Sequence, residues 1–149
     1  MKTITTSHTT TSAAPASVFA VWADMQTWPQ WNRDTEWVRL DGPFRAGSTG
    51  VLKPKGGPRV KFVIERLEPD SEFVDVSRLW GARLRFDHRV TPQRGGGCAI
   101  DVTVSITGPL AGLWSRIIGS GLRESSQPDL DQLATTAELR AAAAAAQPA

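Results

Sequence analysis

The chain has no tyrosine, one cysteine, two histidines and two methionines among its 149 residues. A lone cysteine, Cys98, cannot close an internal disulfide. With only His8 and His88 beside it, the ligand spacings of zinc sites are missing, so no metal and no cofactor are expected. One arrangement stays open, two histidines and a carboxylate that meet only in space. No stretch approaches the roughly 18 apolar residues of a membrane span, so no stable membrane insertion is expected. Met1 to Ser12 is threonine-rich with one lysine and no apolar run, which argues against a secretory signal and predicts a cytoplasmic protein. Charge of one sign is also lacking. The 17 basic and 15 acidic residues leave a net charge of +2 spread along the chain, without the basic block that nucleic-acid binding would need.

The length fits one domain with one core. Residues 1–140 are read as that domain and residues 141–149 as an alanine-rich tail, fraying into Gln147-Pro148-Ala149. Residues 2–11, KTITTSHTTT, are rich in β-branched threonine and read as a strand. Ala13-Ala14-Pro15 then opens a helix, because proline suits a first helical turn. Val18, Phe19 and Trp22 share one side of it, and a second short turn carries Trp28, Pro29 and Trp31. Beyond Asn32, short alternating runs separated by Gly/Pro turns predict six antiparallel strands: 36–41, 48–53, 59–67, 72–79, 82–91 and 98–107. After Gly108-Pro109 the chain reads as helix to about Ala145. Leu110, Leu113, Trp114, Ile117, Ile118 and Leu122 form a stripe expected to face the sheet. Gly119 and Gly121 each cost about 1 kcal/mol against alanine, and Pro128 removes a backbone donor, so a kink or restart is expected near Ser126. Leu130, Leu133 and Ala137 then resume the stripe.

Alternation assigns the faces. From Ala82, the residues Leu84, Phe86, His88 and Val90 alternate with Arg83, Arg85, Asp87 and Arg89, which puts His88 on an apolar inner face. In the last strand Cys98, Ile100, Val102, Val104 and Ile106 form the inner side, where Cys98 serves as a small hydrophobe. The preceding strand has two possible registers. A tight turn at Trp80-Gly81 sets Ser77 opposite Leu84, Asp75 opposite Phe86 and Phe73 opposite His88, pointing Asp75 and Ser77 inward. A three-residue loop would turn Val74 and Val76 inward instead. The run F-x-D-x-S-x-L matches its partner's alternation and favours the tight turn.

A-A-P-A-S-V-F-A-V-W-A-D at 13–24, W-P-Q-W-N at 28–32, D-G-P-F-R-A-G-S at 41–48 and G-P-L-A-G-L-W at 108–114 carry a resemblance. On these segments the chain resembles the polyketide cyclase/dehydrase-like branch of the START-like superfamily (SRPBCC), over essentially its whole length to about Leu139. The resemblance implies an α+β helix-grip fold: a seven-stranded curved antiparallel sheet around a long C-terminal helix, with two short helices between strands 1 and 2. It also implies an internal cavity for a small hydrophobic molecule of lipid-, polyketide- or steroid-like character. No catalytic signature of the aromatase/cyclases maps onto this sequence, and the missing tyrosine removes one common cavity hydrogen-bonding group. A non-catalytic role is therefore favoured over an enzymatic one.

The expected cavity lining is Phe73, Asp75, Ser77, Leu84, Phe86, His88, Val102, Val104, Trp114 and Ile117. Asp75 and Ser77 would supply its polar end, and His88 is either a structural histidine satisfied by Ser77, Asp75 or water, or with Asp75 the acid/base pair of a cyclase or dehydratase. A third reading is a protein-interaction module, and a homodimer is a possible assembly. Among the six tryptophans, Trp22 and Trp31 read as packing anchors and Trp114 as a ligand contact; Trp37 fits either role. Trp80, in a hairpin turn, either gates the cavity, meets a partner or is merely exposed. Lys53, Lys55, Arg59 and Lys61 read as a solvated hairpin, and His8 as an exposed edge residue. Gly95-Gly96-Gly97 joins two strands, so it is no phosphate loop.

Overall fold

A computed structural model describes residues 1–147. Strand β1 (Lys2–Thr11) leads into helix α1 (Pro15–Ala23) and a 3-10 helix (Met25–Gln30). Strands β2 (Thr35–Asp41), β3 (Thr49–Pro54), β4 (Val60–Glu68), β5 (Glu72–Leu79), β6 (Ala82–Pro92) and β7 (Cys98–Thr107) follow, and helix α2 (Ala111–Ala146) closes the chain. The strands form one antiparallel sheet in the order β1-β7-β6-β5-β4-β3-β2, bringing the first strand beside the last. This is the expected helix-grip architecture. Among the described residues no helix is long and apolar enough to cross a membrane.

The local reasons are those the sequence offered. Pro15 occupies the first turn of α1, and Val18, Phe19, Val21 and Trp22 are buried in the main core shared with α2 and the sheet. Edge strand β1 would expose unpaired backbone groups. At His8 the side chain of Gln127 in α2 supplies the missing partners, accepting from the His8 N–H at 3.2 Å and donating to its carbonyl at 2.8 Å. That clasp fixes α2 across the sheet.

The β5–β6 hairpin takes the tight register, pairing Ser77 with Leu84, Asp75 with Phe86 and Phe73 with His88. Val74 and Val76 on the opposite face are nevertheless buried as well. Their cross-strand partners are Asp87 and Arg85, and Arg85 is drawn along the surface to Glu65 at 2.6 Å. The aliphatic stem of such an arginine covers apolar neighbours while its head stays wet. The outer face is thus charged at its tips and apolar at its base.

Two expectations about α2 are corrected. The helix runs unbroken through Gly119, Gly121 and Pro128, because both halves are anchored: Leu130, Leu133, Ala134 and Ala137 are buried in the main core, and Trp114, Ile118 and Leu122 pack on a second cluster. The helix ends at Ala146, close to the expected Ala145, and Pro148 and Ala149 lie outside the described residues. Its inward line is Trp114, Ile118, Leu122, Ser126, Leu130 and Leu133. At about 100° per residue, Leu113 and Ile117 fall on the far side of the helix from Leu122 and Leu133, so the stripe phased from Leu110 pointed partly outward. Both side chains are exposed.

At the hairpin tip, Gly81 adopts φ +70°, and a Cβ placed there would lie 2.7 Å from the Leu110 side chain. A Gly81→Ala variant is expected to lose about 2 kcal/mol or more by chemical denaturation, combining the left-handed backbone cost with displacement of Leu110. Gly95→Ala, with φ +87° but open space around it, is the control and loses only the backbone part, about 1–2 kcal/mol. Equal losses at the two positions would refute a close-approach role for Gly81.

Candidate functional site

Between the inner face of the sheet, the 3-10 segment and α2 lies a cavity of about 440 Å³, within the range of small-molecule sites. Eight of the ten expected residues line it: Asp75 and Ser77 from β5, Leu84, Phe86 and His88 from β6, Val102 and Val104 from β7, and Trp114 from α2. Two do not. Ile117 faces solvent for the helical-phase reason given above. Phe73 is fully buried behind the cavity wall, because α1 fills that end with aromatic side chains. Trp22 and Phe44 meet the Phe73 ring edge-on at 5.2 and 5.3 Å, and Phe73 itself stacks flat on the His88 imidazole at 3.8 Å.

This packing decides the state of His88. Burial among Phe73, Trp22 and Phe86 disfavours the imidazolium and lowers its pKa to about 4, although the Phe73 and Phe86 backbone and the Asp87 charge pull the other way. His88 Nδ1 lies 3.1 Å from the Phe73 carbonyl oxygen. A carbonyl only accepts, so this bond puts the proton on Nδ1 and leaves Nε2 as a lone-pair acceptor. Asp75 Oδ1 lies 3.7 Å from the same Nδ1, beyond hydrogen-bonding distance, and has no partner. Burial raises the Asp75 pKa to about 7, opposed in part by its own backbone N–H. Near neutral pH, the wall therefore presents a carboxyl that readily holds a proton beside an uncharged imidazole.

A second polar region was not foreseen. Asp129 of α2 lines the cavity, is buried and leaves Oδ1 without a partner. Its pKa rises to about 6, chiefly by desolvation and secondarily through the Asp34 charge, while the backbone N–H and charge of Arg33 lower it. The indole N–H of Trp31, also lining the cavity, is buried with no acceptor, whereas that of Trp28 donates to the Trp22 carbonyl at 3.1 Å. Trp31 is thus more than a packing anchor. Phasing the helix from Leu130 and Leu133 would have placed Asp129 inward; nothing in the sequence distinguishes the free indole of Trp31 from the bonded one of Trp28.

The remaining candidates lie elsewhere or act locally. His8 sits at the exposed edge, 2.7 Å from Asp101. Cys98 is fully buried, and desolvation raises its pKa. Lys53 pairs with Glu36 at 3.2 Å and Arg59 lies over the Trp37 ring at 5.8 Å, so this hairpin is surface-bonded. Its tip, Lys55 to Pro58, nonetheless forms part of the cavity rim.

A family model described as polyketide cyclase / dehydrase and lipid transport matches residues 1–138. The chain belongs to this family. Among solved structures, the Zhui aromatase/cyclase from a Streptomyces species shares the fold at 15% identity and TM-score 0.73, over 92% of this chain and 94% of that one. Norcoclaurine synthase from Thalictrum flavum, in complex with dopamine and hydroxybenzaldehyde, is similar at 10% identity and TM-score 0.67, over 89% and 84%. A protein from Thermus thermophilus matches at 15% identity and TM-score 0.69, over 91% and 97%. A search of curated proteins finds no match. At these identities the likeness is one of fold, and the family's cyclases and ligand binders share this architecture with sites of their own.

Proposed function

We propose that this polyketide cyclase-like protein binds a small, mainly apolar molecule in the cavity, held by polar groups at two points. The observation that carries this reading is the set of three buried polar atoms without protein partners, each on a residue that lines the cavity: Asp75 Oδ1, Asp129 Oδ1 and Trp31 Nε1. An unpartnered buried polar group costs roughly 1–3 kcal/mol, a cost that a ligand's own donors and acceptors remove. The apolar wall from Leu84, Phe86, Val102 and Val104 holds the body of the molecule. An acceptor on the ligand satisfies the Trp31 indole N–H and a donor satisfies the Asp129 carboxylate.

Native mass spectrometry of the purified protein is expected to show a bound small molecule, and Nile red is expected to fluoresce in the emptied cavity. Leu122→Trp, which fills the cavity from the helix side, should abolish dye binding with little loss of stability. Dye binding unchanged in Leu122→Trp would place the dye elsewhere and defeat the reading.

A second reading rests on the pairing of Asp75 and His88. A neutral carboxyl can donate a proton to a leaving hydroxyl, while the free Nε2 of His88 can take one from carbon beside a carbonyl, the two transfers of a dehydration or ring closure. If the molecule found by mass spectrometry is converted on incubation, His88→Gln should reduce the rate by about 100-fold or more. An unchanged rate would remove His88 from the chemistry.

A further inference from the structure

One end of the molecule is apolar outside as well as inside. At the tip of the β5–β6 hairpin Trp80 is 81% exposed, and on the first turns of α2 Leu113 and Ile117 are 51% and 60% exposed. The two elements that carry them are joined: the Trp114 indole donates to the Trp80 carbonyl at 2.7 Å, and the Leu110 N–H to the Gly81 carbonyl at 2.9 Å, pinning the hairpin tip to the start of α2. Arginines accompany both the hairpin tip and the helix start. Arg78 and Arg83 face each other across the hairpin beside the tip, Arg116 lies between Leu113 and Ile117 in the helix, and all three are exposed. Among the described residues none of the three forms an ion pair, and no aspartate or glutamate occurs in residues 78–84 or 107–123. Like charges opposite each other in a strand pair are unfavourable unless something else meets them.

We propose that this end is a docking surface for an anionic lipid bilayer, with Trp80, Leu113 and Ile117 entering the interface and Arg78, Arg83 and Arg116 meeting headgroup phosphates. Indole is suited to the bilayer interface, and basic residues beside an apolar tip add electrostatic attraction that falls off within a Debye length. The charge pattern argues against a second copy of the chain as the occupant, since two-fold pairing would bring the same arginines face to face. The surface adjoins the cavity through Trp114, whose indole lines one and is bonded to the other. Docking at this end does not require the cavity to be filled.

The test is flotation of the full chain with phosphatidylcholine vesicles, with and without phosphatidylglycerol. Binding is expected only where phosphatidylglycerol is present, decreasing as salt is raised. Trp80→Ser should weaken it by about tenfold or more. Arg78→Gln and Arg83→Gln should each weaken it by about fivefold, whereas Leu139→Ala, an exposed leucine far along α2, should not change it. Circular dichroism and thermal melts establish that each variant is folded. No binding to either vesicle, equal binding to both, or loss in Leu139→Ala equal to that in Trp80→Ser would overturn the proposal. So would concentration-dependent self-association without vesicle binding that Trp80→Ser abolishes.

Discussion

Asp75→Asn is expected to stabilise the protein at pH 8 by on the order of 4 kcal/mol while leaving its stability near pH 4 almost unchanged. In the folded chain the Asp75 carboxyl titrates at about 7, raised by burial from an ordinary 3.8. Below about pH 4 it is protonated in both states and costs nothing extra. As the pH rises from about 4 to 7 the unfolded chain releases this proton and the folded chain does not, so stability falls until the folded group also ionises. Asparagine keeps the shape and never ionises. Urea denaturation across this range, read as the difference between variant and parent, should show the gap opening between pH 4 and 8; a constant gap would mean that Asp75 is ionised in the fold with a partner of its own.

His88 has the opposite sign. Its pKa, lowered from 6.5 to about 4, contributes stability above pH 6.5 that is lost as the pH falls through 4. Between about pH 4 and 6.5 the His88 and Asp75 slopes offset each other, so the parent is left with the fall due to Asp129, whereas Asp75→Asn should be nearly flat and His88→Gln should fall most steeply. Asp75→Asn leaves the rising contribution of His88, and His88→Gln leaves the falling one of Asp75. Asp129 adds a falling contribution over about pH 4–6 in all three proteins.

The sheet was legible in the sequence because β6 and β7 alternate cleanly, β1 is rich in β-branched threonine, and each hairpin turn carries glycine or proline. Even the β5–β6 register could be argued, since F-x-D-x-S-x-L repeats its partner's pattern and the Trp80-Gly81 turn is tight. The cavity was legible only as far as strands define it. Its helical wall depends on rotation of α2 about its own axis, and the apolar residues near the start of α2 cover too wide an arc to fix that angle. Leu113 and Ile117 belong to the arc that faces water, and phasing on them hid Asp129. Phe73 failed for another reason: alternation assigns it to the inner face correctly, but only the packing of α1 shows that this end of the inner face is filled by Trp22, Phe19 and Phe44. The free indole N–H of Trp31 lay beyond the sequence, because partnering of a side-chain donor depends on three-dimensional placement.

Phe73→Ala should change both stability and protonation, because the ring is at once part of the aromatic plug and the floor under His88. It is fully buried and touches Phe19, Trp22 and Phe44 edge-on, so truncation is expected to cost about 3–5 kcal/mol. The space released adjoins the cavity, and water reaching the imidazole should raise the His88 pKa from about 4 toward 6.5. With only two histidines in the chain, this is measurable by NMR. Phe73→Leu, closer in volume, should cost less than about 1.5 kcal/mol and move the pKa less, which provides a reading if the alanine variant does not fold. An unchanged His88 titration in a folded Phe73→Ala protein would show that the stacked ring does not keep the imidazole neutral and that desolvation comes from Trp22 and the sheet.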